Sequence, residues 1–123
     1  MKVLIVEDEE ILYRVLQEKL EGEKHEVEIA TDGEMALEKV ISFEPDFILL
    51  DIILPKKDGL TVLAELKSNQ EFINIPVIVL SNLAEDDKIK EALKLGAVDY
   101  FVKTQHPLAE IVEKIEESLL KAK

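Results

Sequence analysis

Three stretches of the chain, LIV at 4–6, FILL at 47–50 and VIVL at 77–80, are apolar at every position. A strand with one wet face alternates apolar and polar residues. One that is apolar throughout must be covered on both faces, as the central strands of a parallel sheet are. These runs sit within strands predicted at KVLIV (2–6), FILLD (47–51) and VIVLS (77–81), and two more strands read as EVEIA (26–30) and DYFVK (99–103). EVEIA alternates, with Val27 and Ile29 on one side and Glu26 and Glu28 on the other, which suits a sheet edge.

The stretches between the strands space their apolar residues as helices do. The first carries Ile11, Leu12, Val15, Leu16 and Leu20, and the second Met35, Ala36, Leu37, Val40 and Ile41. The third has Leu60, Leu63, Ala64 and Leu66; the fourth has Ile89, Ala92, Leu93 and Leu95; the last has Leu108, Ile111, Val112, Ile115 and Leu119. Gly22 and Gly96 suit positions just past helix ends, while Gly33 and Gly59 stand at helix starts. Thr31-Asp32-Gly33-Glu34 reads as a capping box, Asp58 as the cap of the third helix, and Pro107 suits the first turn of the last.

Strand and helix therefore alternate five times, which implies an α/β fold: a doubly wound parallel sheet with five helices on its two faces. The flavodoxin-like order 2-1-3-4-5 puts EVEIA at an edge and the three apolar runs inside. A length of 123 residues favours one domain spanning 1–123, with no internal repeat or linker.

Charge narrows the function. There are 15 basic and 27 acidic residues, a formal net charge of -12. Direct nucleic-acid binding needs a basic surface and is not expected. The chain has no cysteine, so neither disulfides nor thiol chemistry are available to it. The apolar run in MKVLIVEDEE is too short for a secretory leader, and no run approaches the ~18 apolar residues of a membrane span. The expectation is a soluble cytoplasmic protein.

In open α/β sheets, ligands bind beyond the carboxyl ends of the strands, near the switch point between the first and third. The first strand runs into Glu7, Asp8, Glu9 and Glu10, and the third ends in Asp51. The fourth ends in Ser81 and Asn82, and the fifth in Lys103. Glu7, Asp8 and Asp51 would crowd negative charge into one crevice, which a hard divalent cation such as Mg2+ relieves. Lys103 and Ser81 could then hold the oxygens of a phosphoryl group. A carboxylate can attack phosphorus, and Asp51, on a central strand, is the candidate nucleophile. Glu9 and Glu10 read as first-turn helix acids, and His25 and His106 as surface residues without ligand spacing.

The segments VEDE, ILLDIILPKKDG, VLSN and GAVDYFVK, in this order and spacing, resemble the receiver domain of two-component response regulators over essentially the whole chain. The resemblance implies that Asp51 is the phosphoacceptor. It also implies that Mg2+ is held by Asp8, Asp51, the backbone carbonyl of Ile53 and, through water, Glu7. Ser81 and Tyr100 would be the switch hydroxyl and switch aromatic, and Lys103 would pair with Asp51 and then with the phosphoryl group. The donor would be a phosphohistidine on a sensor histidine kinase or phosphotransfer protein. Phosphorylation would draw in Ser81, let Tyr100 turn inward, and change the face of the fourth helix, fifth strand and fifth helix for a downstream protein or effector domain, or for a dimer partner. No enzymatic activity is implied beyond the chain's own phosphorylation and slow autodephosphorylation.

This sequence departs from the family pattern in places. Thr104 stands where proline usually follows the lysine, so a cis bond there would cost ~3 kcal/mol. Leu54 replaces a methionine, and Asn82 a smaller residue. Ile53 and Leu83 flank the path of hydrolytic water in the family, and neither can orient a water here, hence the expected slow dephosphorylation.

Three other readings compete. An aspartyl-phosphate hydrolase would use a second acid where Ile53 stands. A nucleotide or flavin module would lead its first strand into a Gly-rich or hydroxyl-rich loop rather than EDEE. A phosphorylation-independent binding module would not need the acids, hydroxyl and lysine to be complete. Because the chain stops soon after its last helix, both a stand-alone regulator and a receiver from a longer protein stay open.

Overall fold

The computed structural model describes residues 1–122; Lys123, the last residue of the expected domain, lies outside the described residues. In chain order the elements are β1 (Lys2–Val6), α1 (Glu10–Gly22), β2 (Glu26–Ala30), α2 (Gly33–Phe43), β3 (Phe47–Leu50), α3 (Gly59–Lys67), β4 (Val77–Ser81), α4 (Asp86–Leu95), β5 (Asp99–Val102) and α5 (Leu108–Ala122). Among the described residues the strands form one sheet of five, ordered β2-β1-β3-β4-β5 and parallel throughout. The expected fold class and strand order are what the structure shows.

Alternate residues of the central strands feed two apolar layers. Leu4, Val6, Ile48, Leu50, Val77 and Val79 pack with α2, α3 and α4 through Ala36, Val40, Val62, Leu63, Leu66 and Ala92. Val3, Ile5, Phe47, Leu49, Ile78 and Leu80 face the other way, onto Leu12, Leu16 and Leu20 of α1 and Ile111, Ile115 and Leu119 of α5. This double coverage is why LIV, FILL and VIVL have no polar position. At the β2 edge, Val27 and Ile29 are half-buried against the second layer, while Glu28 on the opposite side bonds Lys39 at 2.7 Å.

Several local expectations shift. The cap of α2 is Asp32, not Thr31: its Oδ1 accepts from the Met35 N–H at 2.8 Å, and Met35 stands where a capping box needs Glu or Gln, so the expected box is replaced by a simple Asp cap. Gly22 is the last residue of α1, and Lys24 takes the left-handed conformation at φ 71° that ends the turn. Gly96, at φ 120°, follows α4 as expected. Ile11 and Ile41 are 83% and 68% exposed, because α1 buries only the row Leu12, Leu16 and Leu20, and α2 the line Gly33, Ala36, Val40 and Phe43, which leave these neighbours outside. Asp58 does cap α3, accepting from the Thr61 N–H at 2.9 Å.

β3 and β5 end one residue early. The Asp51 N–H still donates to the Val6 carbonyl at 2.9 Å. Lys103 opens a short 3-10 turn, Lys103–Gln105, and no peptide bond among the described residues is cis. Among the described residues, no helix is long and apolar enough to cross a membrane.

Candidate functional site

Register assembles the site. Val6 of β1 is level with Leu50 of β3, so the next residues, Glu7 and Asp51, emerge side by side. Leu50 is level with Val79, and Ser81 with Val102, which brings the β4 hydroxyl and Lys103 to the same rim. Glu7, Asp8 and Asp51 offer carboxylate oxygens that all lie within 4.8 Å of one another. Glu7, Asp51 and Ser81 are buried, at 2%, 6% and 0% exposure, while Asp8 faces solvent at the mouth.

Lys103 ties the acids together. Its Nζ lies 2.6 Å from Glu7 Oε1 and 3.0 Å from Asp51 Oδ2. Glu9 Oε2 is 3.5 Å from the same nitrogen. The sequence alone assigns Glu9 to the helix start, and it does precede α1. Its position two residues after Glu7, with its N–H donating to Glu7 Oε2 at 3.1 Å, is the signal that could have linked it to the cluster. The other Asp51 oxygen, Oδ1, accepts from the Ile53 N–H at 3.2 Å.

Burial and charge work against each other here. Burial, joined by the charge of Asp51, pushes the Glu7 carboxyl up to about 7, although the hydrogen bond from Lys103 pulls it down. Burial alone would lower the pKa of Lys103, but its contacts with Glu7 and Asp51 outweigh that and hold it above the ordinary lysine value. Three converging carboxylates, one of them strongly desolvated, suit a divalent cation with oxygen ligands.

A pH dependence follows. The Glu7 carboxyl has a folded pKa above its unfolded value, so its stabilising protonation is complete below about pH 4.5 and lost as pH rises through about 7. In EDTA, stability is expected to fall across that window by at most about 3 kcal/mol from this group. Urea titrations at pH 5 and pH 8 should show a smaller fall in Glu7→Gln; an equal fall in both proteins removes Glu7 as the cause.

Ser81 and Tyr100, the two residues expected to form a switch, are linked through Leu83. Ser81 Oγ accepts from the Leu83 N–H at 3.3 Å, and the Tyr100 hydroxyl donates to the Leu83 carbonyl. Burial raises the Tyr100 pKa, with Ser81 beside it working the other way. Tyr100 thus already lies inward, its ring packed against the first apolar layer, and needs no turn from this conformation to reach the site. Ile53 is 57% exposed and Leu83 half-buried. His106 is half-buried, 3.0 Å from Glu110 and edge-on to Phe101; His25 contacts the N-terminal amine at 3.2 Å.

One further residue escaped sequence reasoning. A Cβ on Gly59 would collide with the Asp51 carbonyl and lie 2.6 Å from Ile52 Cα. Its N–H donates to the Ile52 carbonyl at 2.7 Å, so the start of α3 rests directly on the backbone of the acidic loop.

Residues 3–116 match the response regulator receiver domain family. The chain is 41% identical over 107 residues to the alkaline phosphatase synthesis transcriptional regulatory protein PhoP of Bacillus subtilis, covering 86% of this chain and 43% of that protein. It is 36% identical over 122 residues to protein-glutamate methylesterase/protein-glutamine glutaminase 3 of Geobacter sulfurreducens, covering 97% and 32% respectively. The chain thus spans less than half the length of these curated relatives. Among solved structures, the Mn(2+)-bound form of response regulator Rcp1 superposes with a TM-score of 0.85 at 36% identity, covering 94% of this chain and 91% of that one. The phosphorylated cyanobacterial phytochrome response regulator RcpA gives 0.87 at 37% identity, covering 99% and 95%. With the sheet order, the acidic rim and these likenesses in agreement, the chain belongs to the receiver domain family of two-component response regulators.

Proposed function

We propose that residues 1–123 act as one receiver unit in which Asp51 accepts a phosphoryl group from a phosphohistidine on a sensor kinase or phosphotransfer protein. The observation that carries this reading is the single ammonium of Lys103 held between two buried carboxylates, 2.6 Å from Glu7 and 3.0 Å from Asp51. An Asp51 oxygen attacks phosphorus, the bond to the donor imidazole breaks, and its electron pair stays on that ring. Lys103 is positioned to leave the Asp51 carboxylate for the new phosphoryl oxygens, and Ser81 to donate to one of them. Asp8, Asp51, the Ile53 carbonyl and, through water, Glu7 are the residues that would hold Mg2+, which when bound neutralises phosphoryl charge.

The output face is α4, β5 and α5. Tyr100 on β5 and Leu83, ahead of α4, share a hydrogen bond, so a pull on Ser81 reaches that face through Leu83, which bonds both. The reader is a downstream protein, an effector domain or a second receiver, rather than nucleic acid bound directly. A cytoplasmic location belongs to this reading, since the donor kinase draws on ATP.

Incubation with Mg2+ and acetyl phosphate tests the proposal. Stoichiometric, base-labile phosphoryl uptake supports it. Continuous phosphate release at enzymatic rates would favour a hydrolase, and no uptake would favour a phosphorylation-independent module.

Phosphoryl lifetime gives a second expectation. Ile53 and Leu83 line the approach with branched apolar side chains and cannot orient a water. Replacing Ile53 with Asn or Glu is expected to shorten the half-life several-fold, read as decay of radiolabel after donor removal; unchanged decay in both variants would sink this assignment.

A further inference from the structure

We infer that Gly33, the first residue of α2, is a positioning residue for the loop between β3 and α3, residues 51–58, which carries Asp51 and Ile53. The inference rests on the reading of that loop as the cation and phosphoryl site and extends it to a helix that supplies no ligand.

Nothing about the backbone at Gly33 calls for glycine. Its φ lies outside the left-handed region, unlike that of Gly96 at φ 120°. An alanine would be at least as good a helix former there. The constraint comes from across the fold. A Cβ on Gly33 would run into the Lys57 backbone carbonyl and lie 2.7 Å from both the carbonyl carbon and the Cβ of Lys57. The Gly33 N–H faces the Pro55 carbonyl at 3.4 Å, and the Lys57 N–H closes a tight turn onto the same oxygen at 2.7 Å. The backbone of 55–57 is therefore seated against the opening turn of α2.

A charge pair lies beside this contact but does not carry it. Lys56 Nζ is 3.7 Å from Asp32 Oδ2, with the lysine side chain 61% exposed, and such exposed pairs contribute little. Lys56 also sits at φ 66°, a conformation a β-carbon disfavours, so the turn is held by its surroundings rather than by local preference. The inner side of the loop is closed as well, because Gly59 rests on the Asp51 carbonyl. The loop is thus held at its Asp51 end by α3 and at its Lys57 end by α2. Helix α2 cannot easily retreat, since Ala36, Val40 and Phe43 anchor it in the core. The loop must give, and with it the Ile53 carbonyl and the Asp51 carboxylate that its N–H supports at 3.2 Å.

Gly33→Ala is therefore expected to weaken Mg2+ binding about tenfold, the scale on which residues behind a metal site act. The readout is a titration followed by the amide resonances of residues 51–58. Gly22→Ala is the control, because a Cβ there meets nothing within 4 Å. The double variant Gly33→Ala/Lys57→Gly removes the Lys57 Cβ and frees that peptide to turn, and should recover most of the affinity. If Gly33→Ala alone fails to fold, recovery of both folding and Mg2+ affinity in the double variant supports the inference, and a folded double variant that binds Mg2+ no better than about a tenth as tightly as wild type overturns it. Unchanged Mg2+ affinity in folded Gly33→Ala overturns it, as does loss of fold in both variants, which would make the role purely one of stability. A wild-type chain that binds no Mg2+ overturns it too. A wild-type chain that binds Mg2+ but takes no phosphoryl group refutes the proposed function while the titration still decides the place of Gly33.

Discussion

Asp51→Asn is expected to lower phosphoryl uptake from acetyl phosphate at least about a hundredfold, because an amide lacks the anionic oxygen that attacks phosphorus. The competing acids are differently placed. Glu7 has one oxygen on Lys103 at 2.6 Å and the other on the Glu9 N–H at 3.1 Å, and burial holds its carboxyl near neutrality, at about 7. Asp8 is exposed at the mouth, and the contacts of Lys103 run to Glu7, Glu9 and Asp51 instead. Asp51 combines a carboxylate at the end of a central strand with the lysine that would follow the transferred group. The variant should stay folded, since Asn keeps the shape and Lys103 retains Glu7 and Glu9 as partners. Mass spectrometry before and after mild base would read the uptake, and circular dichroism the fold. Label at wild-type yield on a folded Asp51→Asn protein would move the acceptor role to Asp8 or Glu7.

The parts of this site that the sequence made legible are those fixed by strand ends. LIV, FILL and VIVL declare central parallel strands because both faces are covered, and the first polar residue after each run marks a carboxyl end. Glu7, Asp51 and Ser81 are therefore readable as neighbours from the sequence alone. The contacts that depend on packing between distant segments were not readable. Glu9 looks like an ordinary first-turn acid until β5 brings Lys103 to it. The inward seat of Tyr100 depends on where the Leu83 carbonyl points. Thr31 and Asp32 are both good caps, and only the start of α2 chooses between them. Gly33 and Gly59 looked like helix punctuation, yet each is required by the backbone of the acidic loop. Ile11 and Ile41 share the helical spacing of core residues but lie just outside the buried rows, a difference of one position that periodicity does not resolve.

Lys103→Met tests how much of the site's stability is charge compensation. The lysine side chain is 9% exposed, and the side chains of its partners Glu7 and Asp51 are 3% and 7% exposed, so this is a buried cluster rather than a surface pair. Methionine preserves most of the side-chain volume and removes only the ammonium. Leaving buried carboxylates without their cation costs about 3–5 kcal/mol when they stay ionised. They need not stay ionised at every pH. Burial already holds Glu7 at about 7 with Lys103 pulling down, so without the lysine its pKa rises further. A protonated Glu7 no longer repels Asp51, and the penalty is then small. The folded variant thus binds a proton that the unfolded chain releases above about pH 4.5, and its stability falls with rising pH over a wider range than that of the wild type. In EDTA the variant is expected to be within about 1 kcal/mol of wild type at pH 5 and about 3 kcal/mol less stable at pH 8. Millimolar Mg2+ at pH 8 should narrow the gap, because the cation takes over the neutralising role without competition from the ammonium. Urea titrations under the three conditions separate the outcomes. Equal losses at pH 5 and pH 8, unmoved by Mg2+, would show that Lys103 supports the fold through packing of its aliphatic stem and not through charge.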